Sequence, residues 1–125
     1  MRGVGFNFAA GRAYGRAELY IDRGDKEENK FIFDLLYGKK ESMETAFDGA
    51  LTWERLDDRR ASRIKCEMSG NIFEPDQWPV LIEFITDAMV RIETAFKEPL
   101  AEINRKLRNR AQQTTAVTPD AVAAK

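Results

Sequence analysis

The sequence predicts an α+β domain whose elements follow the order β-β-α-β-β-α. Two observations support this prediction. Apolar and polar residues alternate in two successive pairs of short segments, as expected for hairpins with one buried face. Each pair is followed by a segment whose apolar residues recur at steps of three and four, as in a helix with one apolar stripe. We therefore expect an antiparallel sheet of about four strands with two helices packed on one face.

The first hairpin is predicted between residues 4 and 22. Val4, Phe6 and Phe8 alternate with small or polar residues, and residues 14–22 alternate again after a glycine-containing turn. The predicted inward residues of the second strand are Ala17, Leu19 and Ile21. The open face is expected to carry polar side chains, since an antiparallel sheet can leave one face in water.

The first helix is predicted to begin near Asp25, and its apolar residues lie on one stripe from Ile32 to Phe47. Gly38 lies inside this pattern, and glycine costs about 1 kcal/mol relative to alanine within a helix. We therefore expect the helix to be weak or bent there. Gly49 follows the stripe closely and is well placed to end the helix.

The second hairpin is predicted from residues 51–56 and 61–68, joined through the stretch DDRR. Leu51 and Trp53 supply the buried side of its first strand. Cys66 shares an inward face with its apolar neighbours in the second strand, and it is interpreted as a buried, unreactive thiol.

The second helix has the strongest periodicity in the chain. Its apolar residues run from Trp78 through Ile82 and Phe96 to Leu107 and are expected to lie mostly in the core, although the heptad-like spacing also suits a dimer seam. Pro99 is expected to kink or split this helix. Residues 1–110 are thus predicted to form a single domain, and residues 111–125 a flexible tail.

Composition restricts the possible functions. The chain has 125 residues, no histidine, one cysteine and a net charge of −1. The lack of histidine removes the commonest general base and zinc ligand, and a near-neutral charge gives no global attraction to nucleic acid. A single cysteine excludes an internal disulfide, which suits a cytoplasmic location, and no apolar run is long enough to span a membrane. No catalytic residue, metal ligand or cofactor is predicted.

The charged stretch around residues 22–30 has two interpretations. Asp22, Glu28 and Lys30 loosely resemble the two acids and the lysine of metal-dependent nucleases. Glu28 and Lys30 would however point about 200° apart around a helix. The favoured interpretation is structural: Gly24 turns the chain, Asp25 caps the helix, and Glu28 stands where a capping box places its acid.

Basic residues form three groups that are candidates for contact with nucleic acid or a protein partner. One group lies in the turn between the third and fourth strands, one on the open face of the sheet, and one near the end of the last helix. Alternatively, the turn is a solvated loop and the helix-end cations complement the helix dipole. The candidates are Arg16, Arg59, Arg60, Arg63, Lys65, Arg105, Lys106 and Arg108.

Three segments resemble a known bacterial family. ELYIDRGDKEENKFIFDLL, LTWERLDDRRASRIKCE and QWPVLIEFITDAMVRIETAF resemble, in this order, the family called domain of unknown function 4268. The resemblance implies an accessory domain that often stands at the C-terminal end of longer proteins, some with a restriction-nuclease-like region. It transfers no catalytic residue to this chain.

Residues and resemblance together predict a non-catalytic protein-interaction or dimerisation module associated with DNA-processing or defence proteins. Its partner would be another protein or a second copy of the chain. The alternatives are a nucleic-acid-binding accessory domain and, less favoured, a divergent metal-dependent nuclease.

Overall fold

The computed structural model describes the backbone of residues 1–123 and the side chains of residues 1–111, and it confirms the α+β class. Four strands form one antiparallel sheet in the order β1-β2-β4-β3, and three helices accompany it. A short 3-10 turn, Pro75–Gln77, precedes the last helix. The elements are β1 (Val4–Ala10), β2 (Tyr14–Ile21), α1 (Lys26–Tyr37), α2 (Lys40–Phe47), β3 (Thr52–Glu54), β4 (Ser62–Ser69) and α3 (Trp78–Ala123).

The two long strands β2 and β4 form the centre of the sheet. They pair over eight residues, from Tyr14 opposite Ser69 to Ile21 opposite Ser62. Both predicted hairpins are present, but β3 pairs with β4 over only three residues, fewer than the predicted segment 51–56. The pairing therefore leaves β1 as a long edge strand and β3 as a short one.

The core lies between the sheet and the helices. Leu19 and Ile64 from the central strands are fully buried, as are Ile92 and Phe96 of α3. The first turns of α3 approach the sheet closely where Gly15 lies, because a Cβ atom on Gly15 would come within 3.0 Å of Ile85 Cδ1. Glycine therefore lets α3 pack directly on β2.

The prediction of one helix from about Asp25 to Phe47 is wrong, because the structure contains two helices there. α1 ends at Gly38, and the backbone of Lys39 leaves the helical region with φ −110° and ψ 18°. The change of direction lets α2 pack beside α3, with Met43 and Phe47 buried in the core. Gly38 had indicated weakness at this point, but the local pattern did not reveal that the second half turns toward another helix.

A kink or a split was predicted at Pro99, and the split is wrong, because α3 runs through this residue without interruption. Proline removes one backbone hydrogen bond from a helix. Buried residues on both sides, Phe96 and Ile103, hold the two halves against the core. Residues 124 and 125 lie outside the described part of the chain, as do the side chains from 112 onward, and the flexible tail stays a prediction.

Candidate functional site

The junction between β2 and α1 is built as a turn and a helix cap. Gly24 has a φ of +94°, a backbone conformation that residues with a side chain rarely adopt. The Asp25 carboxylate accepts a hydrogen bond of 3.0 Å from the Glu28 backbone N–H. The predicted N-cap is confirmed. Glu28 does not complete the capping box, because its carboxylate forms an ion pair with Arg23 instead.

Lys30 is the most deeply buried cation described, with 6% of its surface exposed. Its ammonium group donates hydrogen bonds to the carbonyl oxygens of Ala61 at 2.7 Å and Leu56 at 2.9 Å, and to Ser62 Oγ at 2.9 Å. It also contacts the carbonyl oxygen of Arg55. Burial lowers the pKa of Lys30 from its usual value. The lysine thus binds α1 to the loop between β3 and β4.

Two neighbouring side chains extend this connection. Asn29 is fully buried; its Oδ1 accepts from the Arg23 N–H at 2.8 Å, and its Nδ2 donates to the Arg60 carbonyl at 3.0 Å. The Asp22 carboxylate accepts hydrogen bonds from Nε and Nη2 of Arg60, at 2.9 and 2.8 Å. The hydrogen bonds from Arg60 are the main reason that the pKa of Asp22 is lowered. We call the five residues Asp22, Asn29, Lys30, Arg60 and Ser62 the loop anchor.

The geometry does not support the nuclease hypothesis. Asp22 is bound by Arg60, Glu28 is paired with Arg23, and Lys30 is enclosed by carbonyl groups. Within the described residues, no three His, Cys, Asp or Glu side chains are placed to hold a metal ion. The charged stretch that resembled a catalytic motif therefore connects α1 to the second hairpin.

The outer face of the sheet carries alternating charges that neutralise one another. Arg16 pairs with Glu18 at 2.6 Å, and Lys65 lies 3.2 Å from Glu67. Glu18 is only 5% exposed, so the long side chains cover each other. The charged residues of this outer face are Arg16, Glu18, Glu54, Arg63, Lys65 and Glu67.

The eight predicted basic contact residues do not form one patch. Arg16, Arg63 and Lys65 meet on the outer face, where each is paired with an acid. Arg60 belongs to the loop anchor, and its neighbour Arg59 is exposed in the same loop. The remaining three project from α3, which covers the opposite face of the sheet: they are Arg105, Lys106 and Arg108.

An exposed apolar surface that the sequence pattern did not predict lies around the N-terminal half of α3. Trp78 is 46% exposed and Ile82 55%, although both belong to the stripe that was expected to lie in the core. That expectation is wrong for these two residues. The buried positions of α3 begin with Leu81, its fourth residue, and Ile82 lies on a flank of the helix. Other large exposed apolar side chains are Phe8, Phe73, Val80 and Val90.

A groove of about 780 Å³ follows one flank of α3 beside β4. Val80, Phe84 and Val90 line it together with Met68 of β4, while Glu83 and Asp87 supply polar groups. The alternation in β4 predicted the inward direction of Met68. The groove itself was not predicted, because Val80 and Val90 lie off the apolar stripe of α3. Apolar residues outside the main stripe of a long helix are the sequence feature from which this surface could have been predicted.

Cys66 is half-buried on the helix-covered side of the sheet. Burial raises the pKa of its thiol, so the reactive thiolate is disfavoured at neutral pH. Among the described residues, no helix is both long enough and apolar enough to cross a membrane.

Comparison with known proteins gives one match. The model of the family described as domain of unknown function (DUF4268) matches residues 1–100. No curated protein and no solved structure matches the chain.

Replacing the buried lysine tests the loop anchor. We expect Lys30→Met to destabilise the protein by about 2–4 kcal/mol, because buried carbonyl groups lose their hydrogen-bond donor. Lys26→Met is the matched control on the exposed first turn of α1 and is expected to change stability by less than about 0.5 kcal/mol. Urea unfolding monitored by circular dichroism measures both values. Equal stabilities for the two variants would contradict a structural role for Lys30.

Proposed function

Because the chain belongs to the family described as domain of unknown function (DUF4268), a description that specifies no reaction, we propose a function from the surfaces of the molecule. We propose that this member is a non-catalytic protein-association module that pairs with a second copy of itself. Its role is to bring together the proteins that carry it.

The observation that carries this proposal is the contrast between the engaged charges and the exposed apolar side chains. The acids and lysine that suggested chemistry are bound in the loop anchor or in ion pairs. In contrast, four large apolar side chains within thirteen residues of α3 are between 46% and 60% exposed: Trp78, Val80, Ile82 and Val90. Val80 and Val90 line the groove beside β4, whereas Ile82 lies about 200° around α3 from Val80. So much exposed apolar surface along one helix is typical of a protein–protein interface.

The charge distribution also favours association with a protein of near-neutral charge, such as a second copy of the chain. The outer face is internally neutralised, and the net charge of the chain is −1. Two copies would therefore meet with little electrostatic repulsion, and apolar burial would supply most of the free energy. The family resemblance supports placing the module in bacterial, cytoplasmic DNA-processing or defence proteins.

A nucleic-acid-binding role is the second candidate. Arg105 and Arg108 are exposed on successive turns of α3, and neither forms an ion pair with any described residue. Lys106 lies between them, 3.9 Å from Glu102. The three residues form a short basic segment without the alternating aromatic residues that stack on bases.

Self-association is tested by measuring mass against concentration. We expect light scattering coupled to size-exclusion chromatography to show a mass that rises from one chain toward two as protein concentration increases from micromolar to millimolar. Because apolar burial drives the pairing, the dimer should persist when salt is raised to about 1 M, where surface charges are screened. A mass of one chain at every concentration would contradict the proposal.

The nucleic-acid alternative has its own test. If it were correct, binding of a fluorescent duplex would weaken steeply as salt increases. The double change Arg105→Ala and Arg108→Ala would then reduce the slope of log affinity against log salt by the amount expected for about two phosphate contacts. We expect no binding above that of an acidic control protein at physiological salt. The double variant should self-associate as the unmodified chain does, which separates the two functions.

A further inference from the structure

β1 is a long edge strand with one neighbour. It pairs with β2 along all seven of its residues, and no described strand lies on its other side. The backbone groups that point away from β2 along such an edge are available to pair with another strand. The opposite edge of the sheet is different, because β3 has only three residues and ends at the ion-paired Glu54.

The sequence of β1 lacks the features that normally protect an edge. Its residues VGFNFAA include no charged side chain and no proline, and the pairing with β2 is continuous, without a bulge. Natural sheets usually protect exposed edges with charges, prolines, bulges or short strands. An unprotected seven-residue edge is suited to receive a further strand.

One large exposed apolar side chain, Phe8, lies at this edge on the helix-covered face. Phe8 shares that face with Phe6, which packs against Phe96, yet Phe8 is 60% exposed. A strand added beyond β1 would cover this side chain.

We propose that β1 pairs antiparallel with β1 of a second copy around a two-fold axis at Asn7, so that the two sheets become one continuous sheet. This inference rests on the proposed self-association and assigns its surface. Full overlap of Val4–Ala10 places Asn7 opposite the partner's Asn7 and Phe6 opposite the partner's Phe8. The axis thus generates two aromatic cross-strand pairs on the helix-covered face.

The register follows from symmetry and from the two faces of the strand. A shift by one residue would place the partner's phenylalanines on the polar outer face. A shift by two would shorten the overlap from seven residues to five and leave one aromatic pair, Phe6 with Phe6 or Phe8 with Phe8, in place of two. The register with the longest overlap is therefore also the register with two aromatic pairs. A standard interface buries about 800 Å² on each partner, so the strands need these flanking apolar side chains to complete it.

A second copy fits this edge better than an unrelated extended peptide. The strand is self-complementary, because its centre is Asn7 and its two phenylalanines are placed symmetrically about that residue. It also lacks charge that would repel its own copy or select a charged peptide. The two-fold pairing is isologous, which is the commonest form of protein dimer.

Cysteine cross-linking tests the axis and the register. In a Cys66→Ser background, Asn7→Cys should form a disulfide-linked dimer when oxidised with diamide, because directly opposed residues have Cα atoms about 4.5–5.5 Å apart. Gly5→Cys and Ala9→Cys are matched controls that oppose each other across the axis. Each should cross-link poorly alone and efficiently when the two proteins are mixed. A Cβ atom at Gly5 meets no other atom within 4 Å, so that substitution is tolerated locally.

A charge variant tests the same surface without cross-linking. Phe8 and Val90 are equally exposed, at 60%, but lie on different elements. Phe8→Lys should weaken dimerisation by roughly tenfold or more, as expected for an aromatic residue at the centre of an interface. Val90→Lys, in the groove beside β4, should leave the dimer intact. Circular dichroism spectra that match the unmodified chain would confirm that both variants fold.

The outcomes separate this inference from the proposed function. A dimer in which Asn7→Cys does not cross-link, or which Val90→Lys disrupts while Phe8→Lys does not, overturns pairing through β1 and leaves self-association standing. A chain that is monomeric at all concentrations overturns both. Binding of an unrelated strand-forming peptide to a monomeric chain would overturn the two-fold pairing in favour of a foreign partner.

Discussion

The hydrogen bonds of the buried Lys30 ammonium group are the interaction on which the rest of the structure depends. The loop between β3 and β4 brings the carbonyl groups of Leu56 and Ala61 toward the interior, and Leu56 has a positive φ of 57° that is unfavourable for its side chain. Lys30 supplies donors to these groups from α1. Asn29 and the Asp22–Arg60 pair bind the same loop to the end of β2. No described buried side-chain nitrogen or oxygen lacks a hydrogen-bond partner.

This connection has consequences for the outside of the molecule. It fixes the second hairpin with β4 beside β2, so that β1 and β3 become the edges of the sheet. α3 then covers β2, and the groove lies on its flank beside β4. The charged residues of the stretch 22–30 that resembled a catalytic motif form hydrogen bonds and ion pairs that stabilise the fold. The surfaces left for function are an uncharged strand edge and an apolar helix, which is why we propose association.

Much of the fold follows from local patterns, whereas the features that depend on distant partners do not. Alternation gave the strands and their buried faces, and Gly24 with Asp25 gave the start of α1. The sequence could not show that Lys30 donates hydrogen bonds to a loop 31 residues away. Without that contact, only the resemblance of Lys30 to a catalytic lysine could be recognised. Periodicity likewise placed Trp78 and Ile82 on an apolar stripe, but their exposure depends on how the sheet and helix overlap. The helix break after Gly38 depends on packing between α2 and α3 in the same way.

Hydrogen–deuterium exchange of the backbone amides in Val4–Ala10, measured at micromolar and at near-millimolar protein concentration, tests the central claim most directly. If the charged stretch maintains the monomer fold and β1 is the surface of association, exchange in β1 slows at high concentration. Amides around Lys30 in α1 are then equally protected at both concentrations. Unchanged exchange in β1 at a concentration where the chain is shown to be dimeric would contradict the account.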